Sequence, residues 1–193
     1  MKTANRAVAL ISRFLMTLGV IALGVQLAAT SAAAQTESLD ALFAELKVAG
    51  PDDWEPLEKK IWVEWSKSGS KAMDLLLERG KAEMEKGNYK EAVNHFSALI
   101  DHAPEFAEGW NARASAWFAM ERYGLSMVDI RQTLLLEPRH FGAMSGLATI
   151  LVQLDRPKDA LKIYQQVQDI HPNRPEVQQG ILRLSDTVEG VEL

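Results

Sequence analysis

The stretch EFAEGWNARASAWFAMERYGLSMVDIRQTLLLEP, residues 105–138, decides the fold, because the 34 residues on either side follow its pattern. Pro138 closes it, and Pro104 and Pro172 stand 34 positions before and after. Overlaid at that offset, the segments share small residues at Gly80, Ala114 and Ala148 and again at Ala92, Ser126 and Ala160. A large apolar or aromatic column reads Phe96, Ile130 and Tyr164, and another reads Leu99, Thr133 and Val167. Tyr89, Tyr123 and Pro157 align on the turn side. Residues at helical spacing run Leu76, Gly80 and Met84, then Tyr89, Val93, Phe96, Leu99 and Ile100. Gly87-Asn88 breaks between the two runs, as a tight turn between antiparallel helices should. Each of the three spaced prolines lacks an N–H and forces its predecessor out of helical dihedrals, so it ends the second helix of its unit. Pro157 instead suits the first turn of a helix, where its missing donor costs little. The unit is therefore a helix pair, and self-similarity at one fixed period predicts a solenoid.

On these residues the chain resembles the tetratricopeptide-repeat family over about residues 73–172. The family pattern W-x₂-L-G-x₂-Y…A-x₃-F…P is met by Leu76, Gly80, Ala92, Phe96 and Pro104 in the first repeat. The second supplies Trp110, Ala114, Trp117, Ser126, Ile130 and Pro138, and the third Met144, Leu147, Ala148, Leu151, Ala160, Tyr164 and Pro172. Arg79 and Glu83 depart from it, standing where large apolar residues are usual. The repeats are placed at about 73–106, 107–140 and 141–174. Glu176, Val177, Ile181, Leu182 and Leu184 predict a capping helix over 175–188, since a solenoid needs its ends covered. Upstream, Leu39, Leu42, Phe43 and Leu46 predict a short helix that Ala49-Gly50-Pro51 closes. Trp54, Leu57, Ile61 and Trp65 stripe a second helix, with Trp62 beside the stripe, and Ser66 to Ser70 read as a turn. This Trp-rich helix is expected to pack on the first repeat. The expected fold is thus all-α: an α-solenoid of three repeats in a domain over 71–193, with an N-terminal helical pair in 35–70 and a C-terminal cap.

Composition narrows the function. The chain of 193 residues is 47% hydrophobic and 24% charged, which excludes fibrous and low-complexity classes. Its formal charge is −5, and Lys2, Arg6 and Arg13 precede the first acid. Without those three the balance is 18 basic against 26 acidic side chains, or −8, a surface that repels nucleic-acid backbones. The absence of Cys excludes thiol catalysis and thiolate metal sites. The three cations lead into an apolar stretch from Phe14 to Ala29, and small residues follow, ending Ala32-Ala33-Ala34. That order predicts a signal peptide over residues 1–34, cut after Ala34. An uncleaved membrane anchor is the rival, but a span needs about 20 mostly apolar residues and this stretch holds Thr17 and Gln26. The expected location is the bacterial periplasm, with membrane contact only transient, through the signal segment.

The resemblance implies a partner-binding concave face lined by the first helix of each repeat. Carried onto this chain, that face comprises Leu77, Lys81 and Met84, then Asn111, Ser115 and Phe118, then Ser145, Thr149 and Val152. Chaperone-binding members hold a peptide carboxylate there with Lys, Asn and Arg. Lys81 and Asn111 fit, but the third repeat offers Gly142, Ser145 and Gly146, so no such clamp is expected. A groove for an extended or helical protein segment is expected instead, a solvated face being the rival reading for any one residue. His95 and His102 lie two turns apart, no metal-ligand spacing exists, and helix-end histidines are expected to face carbonyl dipoles. Ser68-Gly69-Ser70-Lys71 matches S-x-x-K without the companion motifs of penicillin-binding enzymes, a chance match. No cofactor and no catalysis are expected. Trp54, Trp62 and Trp65 are expected in the core, or in part exposed as a binding anchor. The resulting expectation is a non-catalytic adaptor or scaffold. Its alternative is a self-associating envelope component that docks helix 37–48 into the groove of another copy, the same helix being able to plug its own groove.

Overall fold

A computed structural model describes residues 39–190, all of its regular structure α-helical. The expected signal segment and the last three residues lie outside the described residues. Helix α1 covers 39–48. It is followed by α2 (Trp54–Trp65), α3 (Lys71–Glu85), α4 (Tyr89–His102), α5 (Ala107–Ala119), α6 (Tyr123–Leu136), α7 (Phe141–Gln153), α8 (Pro157–Ile170) and α9 (Pro175–Gly190). From Phe43 onward the chain is one compact unit, while residues up to Leu42 belong to another. Within the larger unit α3 pairs with α4, α5 with α6 and α7 with α8, and α9 packs on α8 as the cap.

The turn inside each repeat is the same device three times over. Gly87, Glu121 and Asp155, one per repeat at the 34-residue offset, all have positive φ (77°, 57° and 55°). The next residue then donates its N–H back to a carbonyl five positions earlier: Asn88 to Glu83, Arg122 to Trp117 and Arg156 to Leu151, at 2.8–2.9 Å. This left-handed closure satisfies carbonyls that the helix end leaves open. Only the first copy uses glycine, the residue that takes that dihedral without strain.

The cores follow the repeat columns. Leu77, Ala92, Val93, Phe96, Leu99, Ala112 and Ala116 fill the first, and Ala114, Ile130, Ala143 and Ile150 the second. Leu151, Ala160 and Leu184 carry the third into the cap. Gly80 is small for a steric reason, since a Cβ there would lie 2.2 Å from the buried Phe96 ring. Gly180 similarly admits the Tyr164 ring under α9. Arg79 is exposed and Glu83 half-buried, accepting from Lys86 and Asn88 in the adjoining turn. Large apolar residues are dispensable on that side because the upstream helices pack elsewhere.

That placement corrects one expectation. The Trp-rich α2 packs chiefly on the third repeat, not the first. Its Trp65 ring stacks on His140 at 4.0 Å, Trp62 meets Phe141 edge-on, and Trp54 lies against His171. Its contact with the first repeat is at the end, where Lys81 reaches Ser66 at 3.4 Å. The physical reason is shape: a stripe of three large rings needs small residues opposite, and α7 supplies one. Gly142 is where a Cβ would come within 2.5 Å of the Trp62 ring.

Candidate partner-binding groove

The first helices of the repeats, α3, α5 and α7, adjoin one another along the inner face. A buried polar network ties them together there. Glu108 of α5 is 3% exposed. It receives Lys81 of α3 at 3.2 Å, the Asn111 amide at 2.9 Å and His140 Nε2 at 3.3 Å. His140 is the N-cap of α7, and its Nδ1 accepts the Ala143 N–H. That acceptance leaves the proton on Nε2, which donates to Glu108. Burial pushes the Glu108 carboxyl up, but the His140 hydrogen bond, the Lys81 charge and the Asn111 amide outweigh burial and hold it below the usual carboxylate range.

A second network fixes α2 at the far end. Glu58 accepts from Trp62 Nε1 at 3.0 Å and from His171 at 2.8 Å, with the Arg174 guanidinium 3.6 Å away. Burial raises the Glu58 carboxyl, while His171, Trp62 and Arg174 together pull it below its ordinary value. A carboxylate so depressed adds stability above its unfolded value of about 4.3 and loses it as pH falls through the folded one. Urea midpoints should therefore fall between pH 6 and pH 3, and Glu58→Gln should flatten part of that fall; an unchanged slope would rule the network out as its source. Both buried histidines thus meet carboxylates, and the expected carbonyl-dipole role does not describe them: His140 caps an N-terminus and both Nε2 atoms face glutamates.

Between α5 and α7 the inner face opens into a cavity of ≈ 130 Å³. Asn111, Ser115, Phe118 and Thr149 line it together with Ala114, Gly142, Gly146, Ile130 and Ile150. Four of the nine residues expected on the groove are thus brought to one place. Lys81 stands beside it, tied to Glu108, and Val152 is exposed one turn beyond Thr149. Ser145 is half-buried, and Met84 packs against the first core. Leu77 needs correction: it is fully buried between α3, α4 and α5, because α5 closes over that side of α3. Phe43 and Leu46 of α1 are also buried within the chain, so that helix is not free to dock into another copy.

The sequence alone does not single out Glu108 or its link to His140. The signal for Glu108 is the column Asp74, Glu108, Gly142, which places a carboxylate and a glycine on successive first helices. Ser68 of the S-x-x-K match bonds Asp74 and the Ser70 carbonyl, shaping the α2–α3 turn. Among the described residues no group of His, Asp and Glu could hold a metal ion, and no helix is long and apolar enough to cross a membrane.

Tetratricopeptide-repeat family models match residues 77–127 and 143–174. A TPR repeat-containing protein of Rhizobium etli is 35% identical over 155 residues, covering 80% of this chain and 76% of that protein. Among solved structures, the first TPR domain of Spaghetti (RPAP3) bound to an HSP90 peptide, SRMEEVD, superposes with a TM-score of 0.58 at 23% identity. That match spans 61% of this chain and 93% of the other. The TPR2B domain of yeast Sti1 in complex with pHsp70 gives 0.57 at 20% identity, spanning 61% and 99%. These two show a shared fold.

Proposed function

The chain belongs to the tetratricopeptide-repeat family, and from that premise we propose that it is a non-catalytic adaptor holding a segment of another protein on its inner face. The cavity between α5 and α7 carries the reading. Its volume of ≈ 130 Å³ suits one aliphatic side chain, and Asn111, Ser115 and Thr149 at its rim suit the polar backbone on either side of such an anchor. A segment that inserts one apolar residue and runs on across small residues needs no free terminus. Glu108 supports that choice, because it occupies both Lys81 and Asn111 and sets a negative charge where a terminal carboxylate would sit. The partner is therefore an internal protein segment, distinct in chemistry from the acidic peptide SRMEEVD of the Spaghetti (RPAP3) complex.

The test is capture from envelope extract with the parent and a Phe118→Asp variant, followed by crosslink mapping. A protein held by the parent, lost by the variant and crosslinked near Ser115 or Thr149 is the expected result. One retained equally by both would move the site off this face. We propose further that the adaptor works in the bacterial periplasm after export on residues 1–34; the order of cations, apolar stretch and small residues supports it. The exported protein should have a mass beginning at Gln35, and retention of the leader would make the chain membrane-anchored.

A further inference from the structure

The repeats carry their own internal control for what an outward helix face should look like. On the second helix of the first repeat, the outward positions are Lys90, Glu91, Asn94 and Asp101; in the third they are Lys158, Asp159, Lys162 and Asp169. At the same offsets the second repeat has Gly124, Leu125, Val128 and Leu135. Leu125, Val128 and Leu135 are 48%, 62% and 66% exposed. Four polar columns have turned apolar or small together on one helix, α6, at the middle of the array. The patch does not stop at the ridge. Leu135 also borders a crevice of ≈ 350 Å³ whose wall includes Met127, Leu134 and Leu147. Solvent-facing Leu and Val in such a row mark a surface that another molecule covers.

We propose that α6 is a self-association surface, packed antiparallel against α6 of a second copy of this chain. The shape of the helix selects that occupant. Gly124 leaves open space on this face: beyond its chain neighbours and its own helix backbone, nothing lies within 4 Å of the place a Cβ would take. Leu135, the most exposed of the three, stands eleven positions along, three turns or about 16 Å away. A two-fold axis midway between them seats each Leu135 over the Gly124 of the other copy, the self-complementarity an isologous interface requires. In the same register Val128 meets the aliphatic stem of the partner copy's Arg131. The face does not use the inner groove, so it stands independently of the adaptor reading.

The absence of Cys makes a direct test available. A chain carrying both Gly124→Cys and Leu135→Cys should, on mild oxidation, form a covalent dimer through two bridges. The pair cannot close within one chain, because disulfides need Cα atoms no more than about 7 Å apart. A second variant borrows the residues of the third repeat: Leu125→Asp, Val128→Lys and Leu135→Asp, substitutions that this helix type already tolerates. Sedimentation of the full-length parent in detergent should give a dimer at tens of micromolar, and the borrowed-residue variant a monomer with unchanged helical circular dichroism. A folded cysteine variant that stays uncrosslinked overturns the proposal. So does a parent that is monomeric yet loses binding to lipid vesicles on the same substitutions, since that would make the face a membrane contact.

Discussion

Arg113→Ala should lower the unfolding free energy by about 3–5 kcal/mol, the cost of stranding a buried charge. Arg113 forks onto Asp129 with Nε and a terminal nitrogen at 2.8 and 2.9 Å, and its other terminal nitrogen reaches Ser97 at 3.1 Å. Its guanidinium also lies 5.0 Å from the Trp110 ring centre. One side chain therefore ties α4, α5 and α6, and so joins the first repeat to the second. Asp129 is 2% exposed and has no solvent to fall back on when the guanidinium is removed. The double replacement Arg113→Met with Asp129→Leu should recover most of the loss, because two apolar residues replace a pair whose desolvation nearly cancels its attraction. Urea unfolding of the three proteins decides it. A single variant within about 1 kcal/mol of the parent would mean that Asp129 finds water or another donor there.

The same pair shows how far the sequence could be read. The period, the helix pairs, the small columns and the cap were visible because each obeys a local rule: proline at a fixed step, a glycine or Asn turn, an apolar stripe. Arg113 and Asp129 break those rules, standing in columns where the third repeat has Leu147 and Ile163. Each looks alone like a surface residue on a poor match. Only the fold reveals that the two departures compensate one another across a helix pair. The inner face divides the same way. Its composition on α5 and α7 followed from the repeat register, which is why Asn111, Ser115, Phe118 and Thr149 fall together. Leu77 shares that register, yet α5 buries it. The docking of α2 was not legible at all, since nothing local tells a tryptophan stripe which repeat it will meet.

Trp65→Ala should free α2 from the third repeat at a cost of about 3–5 kcal/mol, the range for deleting a large buried aromatic. Trp65 is 6% exposed and lies at the centre of an aromatic cluster. It stacks on His140, tilts against Phe43 at 5.8 Å and against Phe141 at 4.9 Å, and meets Trp62 edge-on at 5.2 Å. Little of that contact belongs to the repeat cores, which close on their own columns without it. The loss should therefore appear locally: hydrogen exchange should quicken across α2, and protease should cut at residues 66–70, before α5 and α7 loosen. Gly142→Val attacks the same contact from the other side, by pushing a side chain into the Trp62 ring instead of removing one. Overpacking of that kind costs typically 1–3 kcal/mol, so its effect should be smaller and its pattern the same. Agreement between a deletion on α2 and an intrusion on α7 would locate the effect at their contact. Uniform exchange across all helices in both variants would instead make α2 an integral part of the array, folding and unfolding with it as one unit.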